Sequence, residues 1–166
     1  VATSAATTIP VAPVKDDRLL LNNIDDVFAI RSGYNPHEYR WGDGAASILD
    51  FCLMTDDESY PSVIMTGQTI RLIIAIRFYV DLVHPILGIT IKTKEGVTVY
   101  GANTLTLKMD AFKSQGMKGS AIIAEAKFIC RLAPGDYFIS LGIATKQGEE
   151  IIPHDRRYDA IHFYVN

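Results

Sequence analysis

Cysteine is nearly missing from this chain: Cys52 and Cys130 are the only two in 166 residues, and both lie inside apolar alternating segments. They read as buried free thiols, because cysteine packs as a small hydrophobe. An inter-sheet disulfide is the alternative, and it requires an oxidising compartment. Basic runs are also missing. The longest is Arg156-Arg157, the net charge is −3 and the pI is near 5.8, so the basic stripe of a nucleic-acid surface is excluded. Nor is there a long apolar run. The longest, residues 70–80, is interrupted by Arg71 and Arg77 and falls short of the roughly 18 to 20 apolar residues of a membrane span. No signal peptide is visible, and a cytosolic protein is the default. His37, His84, His154 and His162 do not fall at a ligand spacing such as H-x-x-x-H, so neither a metal nor another cofactor is expected. G-x-S-x-G and Cys-His signatures are absent, and helical periodicity is almost absent.

What is present is alternation. The chain is 48% hydrophobic and 21% charged, which suits one globular domain able to bury its own core. Residues 1–14 are rich in Ala, Thr and Pro and read as a linker; residues 1–36 together form a linker and N-terminal extension ahead of a domain over 37–166. Residues 16–31 fit a short helix or an edge strand, and 32–44 a loop. From there strands are predicted over 45–54, 68–80, 86–92, 97–100, 105–109, 120–132 and 137–145, with a last one ending the chain. In 68–80, Ile70, Leu72, Ile74, Ile76, Phe78 and Val80 share one parity. Such a series of punctuated strands predicts an all-β, antiparallel β-sandwich. Ala133-Pro134-Gly135-Asp136-Tyr137 resembles the corner entering the sixth strand of immunoglobulin-like domains. The Cys…Trp…Cys spacing of antibody domains is absent, since Trp41 precedes both cysteines, so the immunoglobulin-like reading is one of architecture.

The last strand, DRRYDAIHFYVN (155–166), organises the functional reading. Ile161, Phe163 and Val165 form an apolar face, whereas Tyr158, His162 and Tyr164 put rings with polar tips on the other. With Tyr137, Ile139, Leu141 and Ile143 directed to the core, Ser140, Gly142 and Ala144 face outward, as do Gly88 and Thr90 on a neighbouring strand. The outward face becomes a trough with a small-residue floor, walled by Tyr100 on one side and by Tyr158, His162 and Tyr164 on the other. Ring faces stack on the C–H side of a pyranose, and Tyr, His, Ser and Thr take its hydroxyls. The candidate saccharide contacts are therefore Tyr158, His162, Tyr164, Tyr100, Ser140 and Thr90. A trough of this kind also suits a protein surface or a strand swapped from a partner.

Four motifs occur in order: RWGDG (40–44), YGANT (100–104), GDYFISLG (135–142) and DRRYDAIHFYV (155–165). Together they resemble the C-terminal carbohydrate-binding domain of the ATP-binding subunit of the O-antigen polysaccharide ABC transporter, the Wzt family. The resemblance spans residues 37–166. It implies a β-sandwich behind a nucleotide-binding domain, acting as a homodimer with the transporter membrane subunit at the cytoplasmic face of the inner membrane, where O-antigen polysaccharide is recognised by its repeat unit or terminal modification. The chain has no G-x-x-x-x-G-K-[ST] phosphate loop, so no ATPase is expected of it. Its start at Val1 fits a piece of a larger protein. Arg40, Trp41 and Asp43 are expected to pin their loop to the sandwich, and Arg156 and Arg157 to form exposed salt bridges, or to reach a charged cap on the glycan.

Two other classes remain open to the sequence. Asp43, Asp136, Asp155 and Asp159 could supply the two carboxylates of a glycoside hydrolase, but Asp136 falls in a turn and Asp159 on the core parity, so no catalytic residue is assigned. The alternative function is a protein-interaction or dimerisation module without glycan binding. The polar stretch 145–154 is long for a hairpin link, which leaves the last strand free to pair with a partner subunit.

Overall fold

The computed structural model describes residues 7–13, 21–56, 58–104 and 116–166. Within these the strands are β1 (Thr7–Thr8), β2 (Val11–Pro13), β3 (Tyr39–Trp41), β4 (Ala46–Met54), β5 (Val63–Ile64), β6 (Thr69–Phe78), β7 (Ile86–Thr93), β8 (Thr98–Asn103), β9 (Ala121–Ile129), β10 (Gly135–Gln147) and β11 (Glu150–Val165). A single 3₁₀ turn, Phe28–Ile30, interrupts them. The strands form where β-branched and aromatic residues alternate with polar ones, a pattern that suits a pleated, half-buried surface.

Two sheets result. The larger runs β1-β8-β7-β10-β11-β3, with β5 paired to the end of β11; the smaller runs β2-β9-β6-β4. Apart from the short parallel pairings of β1 with β8 and β5 with β11, neighbours are antiparallel. The inner faces meet in one core: Ile70, Leu72, Ile74, Ile76 and Phe78 of β6 face Leu87, Ile89 and Ile91 of β7, Ile139, Leu141 and Ile143 of β10, and Ile161, Phe163 and Val165 of β11. Burying each such side chain contributes about 1.5–3 kcal/mol, so this alternation is the main source of stability. The architecture is the expected all-β sandwich, and the corner ahead of β10 closes as the sequence suggests: the Tyr137 hydroxyl donates to the Ala133 carbonyl at 2.7 Å. Cys52 and Cys130 are free and buried.

The N-terminal region departs from the linker reading. β1 pairs with β8 of one sheet and β2 with β9 of the other, and Ile9 and Val11 are buried in the core. Two apolar residues among Ala, Thr and Pro are too few to show a period, yet they close the sandwich along one side. Phe28, from the undecided stretch 16–31, is also in the core, so the core extends ahead of residue 37. The strand expected over 105–109 lies outside the described residues. Residues 145–154 are not a loop. β10 and β11 continue through them to the pair Gln147–Glu150, so in this chain the last strand pairs with its own neighbour.

Candidate functional site

Thr90 pairs with Ser140 and Gly88 with Gly142 across β7 and β10. On β8, Gly101 stands beside Thr90 and Asn103 beside Gly88. Because Leu87, Ile89 and Ile91 enter the core, Gly88, Thr90 and Lys92 face out, but on β10 Ser140 and Ala144 are only 6% and 5% exposed and Arg156 lies against Gly142, so the floor expected from the sequence is open along β7 and covered along β10.

The walls differ. On β11 the residues around Tyr158 are set by a bulge: Ile139 pairs with Ile161 and Leu141 with Arg157, so residues 158–160 together stand opposite Ser140. Asp159 takes the extra backbone length with φ +54°, a left-handed conformation that Asp tolerates better than most residues. It is therefore exposed rather than directed to the core as its parity suggested. Ser140 holds this bulge. Its hydroxyl accepts the Asp159 N–H at 2.9 Å, and the residue is only 6% exposed, so it serves the bulge rather than standing open in the trough as a saccharide contact.

Tyr158 lies at the centre of a ring cluster. Tyr39 stacks on it (centroids 6.3 Å apart, planes at 16°), and Trp41 meets it at 6.2 Å and 51°. Lys92 places Nζ 5.8 Å from the Tyr158 centroid, and the guanidinium carbon of Arg156 lies 6.0 Å from the Trp41 ring. His162 and Tyr164 belong to a second group further along β11. His162 Nε2 is 2.7 Å from Asp136 Oδ1, its ring is 5.1 Å from Phe138, and Tyr164 pairs with Asp136 across the strands. Beside Asp136 opens a pocket of about 240 Å³, lined by Thr93, Lys94, Glu95, Pro134, Gly135, Asp136 and Tyr137.

Tyr100 is the correction. It does not wall the trough; it is 4% exposed and packs in the core against Phe128 at 4.8 Å. Its hydroxyl donates to the Ile129 carbonyl at 3.1 Å and accepts the Arg131 N–H at 3.2 Å. The cause is a register shift between Ile91 and Lys92, which sets Tyr100 opposite inward-facing Ile91. Alternation counted along one strand cannot detect a bulge in its pairing.

RWGDG divides between two roles. Arg40 forks onto Asp155, Nε–Oδ1 and Nη2–Oδ2 both at 2.9 Å, and also pairs with Asp26. The Asp155 hydrogen bonds raise the Arg40 pKa above its ordinary value. Asp43 bonds His154 Nδ1 at 2.8 Å and accepts the Ala45 N–H at 2.9 Å. Burial pushes the Asp43 carboxyl up, but the Ala45 amide and His154 outweigh it and leave the carboxyl below its usual range. Gly42 (φ +148°) packs so closely on His154 that a Cβ would collide with that carbonyl. Arg40 and Asp43 pin the turn, as expected, and Gly42 packs it down. Trp41 does not: it is 41% exposed and joins Tyr158 on the outer face.

Arg157 also departs from its expected exposed pairing. It is 1% exposed, with its guanidinium carbon 3.6 Å from the Phe28 centroid and ion pairs to Glu38 and Asp26. Tyr39 and Lys92 are the residues of this face that the sequence did not single out, Trp41 was given a pinning role instead, and Arg156 was named only beside Arg157. Tyr39 and Trp41 did carry a signal, the Y-x-W spacing of an edge strand, hidden by the Gly, Asn, Pro and Asp around it.

The fold and this face define an immunoglobulin-like β-sandwich whose larger sheet turns an aromatic cluster and a small-residue floor outward. The chain belongs to the Wzt C-terminal domain family, whose model matches residues 37–166. A solved structure titled "Crystal structure of the C-terminal domain of wzt" is similar at a TM-score of 0.77 and 31% sequence identity, covering 86% of this chain and 86% of that one. No curated protein matches the chain. No helix among the described residues is long and apolar enough to cross a membrane.

Proposed function

We propose that the outer face of the larger sheet is a non-catalytic carbohydrate-binding site that recognises O-antigen polysaccharide, by its repeat unit or terminal modification, for export by an ABC transporter. The observation that carries this reading is the Tyr39–Tyr158–Trp41 cluster beside the floor of Gly88 and Thr90. Partly exposed rings lose little conformational freedom when a flat ligand stacks on them. A sugar ring seated on Tyr158 or Trp41 places its hydroxyls over the floor, where glycine leaves room for the backbone to approach and Thr90 offers a hydroxyl. His162 and Tyr164 extend the contacts to the next residue of the polymer. Membership of the Wzt C-terminal domain family supports the choice of polysaccharide.

In this reading the sandwich, residues 37–166 with β1, β2 and Phe28 packed into it, forms the glycan-binding domain of a homodimeric transporter subunit that meets the membrane subunit at the cytoplasmic face of the inner membrane. The test is a glycan array of bacterial surface polysaccharides probed with the chain, followed by calorimetry on the hits. Trp41→Ala should lose roughly 1–3 kcal/mol of binding. If no polysaccharide binds while a protein partner does, the domain is an interaction module instead.

A further inference from the structure

We infer that residues 21–27 form a detachable strap that couples the outer face of the smaller sheet to the ring cluster on the larger one, with Asp26 as the joint. The inference holds whatever the rings bind. The strap spans β4 and β6 on the side of the smaller sheet that faces away from the core. The Asn22 N–H donates to Asp50 Oδ2 at 2.8 Å, and Arg77 grips Asn23 through both its carbonyl and its side chain. Ile73 and Ala75 alternate with the core residues Leu72, Ile74 and Ile76, yet both are fully covered. Ala75 is the cross-strand partner of Asp50, the acceptor for Asn22.

Little apolar burial fastens the strap itself. Asn22 turns the chain locally, its Oδ1 accepting the Ile24 and Asp25 N–H groups at 2.9 Å each, and Ile24 is 70% exposed. A surface segment fastened by a few polar contacts opens at a much lower cost than the fold as a whole. The chain is anchored directly after Asp26: the Val27 N–H donates to the Leu49 carbonyl at 2.9 Å, and Phe28 is fully buried in the core. The hinge therefore falls at Asp26.

Asp26 Oδ1 accepts from Arg157 Nη1 and from the Phe28 N–H, both at 3.1 Å, and Oδ2 accepts from Arg40 Nη1. Arg40 lies between Tyr39 and Trp41 on β3, and Arg157 immediately precedes Tyr158 on β11. One carboxylate thus ties both strands that carry the rings. Lifting residues 21–25 releases the backbone that sets this carboxylate, and leaves Arg40 held by Asp155 alone of its two acids. Coupling of this kind runs through a contiguous chain of hydrogen bonds with two arrangements, strap docked and strap lifted. By linkage it acts in both directions, so whatever tightens the ring cluster also tightens the strap.

The experiment is NMR on the ¹⁵N-labelled 166-residue chain without ligand, on the wild type, Arg77→Gln, Asp26→Asn and the double variant. Hydrogen exchange of the Asn22 N–H, against the amides of β6, reads the strap; the indole N–H of Trp41, the single tryptophan, reads the cluster. In the wild type Asn22 should exchange at least a hundredfold faster than the β6 amides. Arg77→Gln should speed Asn22 at least tenfold more, leave β6 unchanged, and move the Trp41 resonance toward its unfolded-chain position. Asp26→Asn should move Trp41 the same way, and adding Arg77→Gln to it should move Trp41 no further, the non-additivity expected of one pathway. Wild-type Asn22 exchanging as slowly as β6 overturns the inference, since the strap then opens only when the whole domain does. So does equal acceleration of Asn22 and β6 in Arg77→Gln. A freed Asn22 with Trp41 unmoved, or additive movements of Trp41 in the double variant, also overturns it, because Asp26 then transmits nothing.

Discussion

Arg157 and Glu38, 119 positions apart in the chain, meet in a covered ion pair: Nη2 is 2.6 Å from Oε1 and Nε is 3.1 Å from Oε2. The pair joins β11 to the residues just ahead of β3, and Arg157 Nη1 adds bonds to Asp26 and to the Ile48 carbonyl. Through it the edge strand that carries Tyr39 and Trp41 is held against the strand that carries Tyr158. The ring cluster is therefore built on an ionic lock one residue away along each strand, on the opposite side of the sheet.

Removing one partner of such a pair leaves a buried charge uncompensated. Arg157→Ala is expected to lose about 3–5 kcal/mol of stability in denaturant unfolding. A loss below about 1 kcal/mol would show that solvent already shares this site.

Acid should loosen the same region. Burial raises the Asp26 pKa, but the charge of Arg157, the Phe28 amide and Arg40 outweigh it, so the folded value lies below the ordinary 3.8. A carboxyl with a depressed folded pKa contributes stability that is complete above its unfolded value and is lost as pH falls through the folded one. Asp43 has the same sign. Urea midpoints should therefore fall as pH drops below about 4, and Asp26→Asn should flatten that fall while lowering stability at neutral pH.

Gly42→Ala tests the pinned turn. With φ +148° and the His154 carbonyl in the way, the substitution should cost about 1–3 kcal/mol and weaken glycan binding by moving Trp41. Equal stability and equal binding would show that the turn does not position that ring.

Tyr100→Phe separates core from face. It removes a hydroxyl bonded to Ile129 and Arg131, so a loss of about 1–2 kcal/mol of stability is expected with glycan affinity unchanged. A change in affinity without a change in stability would return Tyr100 to the trough.

Much of the fold was legible because a pleated strand enforces a period of two: β6, β10 and the end of β11 bury the residues that alternation selects. The β7 part of the small-residue floor followed from the same count, and so did the outward direction of Tyr158, His162 and Tyr164; its β10 part is covered by the bulge at Asp159 and by Arg156. Bulges were not legible. The shift at Ile91/Lys92 turned Tyr100 inward, and the one opposite Ser140 turned Asp159 outward, because each depends on a partner strand that a single segment does not specify. Short edge strands were hidden as well. Tyr39–Trp41 and Val11–Pro13 are too brief to show a period and lie among turn-forming residues, so their places come from long-range pairing alone. Arg157 was misread for a related reason: its partner Asp26 lies in the undecided stretch 16–31, and its partner Glu38 in the segment 32–44 read as a loop.

The central claim is that the ring cluster on the larger sheet grips polysaccharide. The most direct measurement is a calorimetric titration of purified O-polysaccharide, from the strain that encodes this chain, into the wild type, Tyr158→Ala and Trp41→Ala. Saturable binding is expected for the wild type and a roughly tenfold loss in each variant, with thermal midpoints within about 2 °C of one another because both rings stand outside the core. Wild-type affinity in both variants, or no binding by the wild type at all, contradicts the claim.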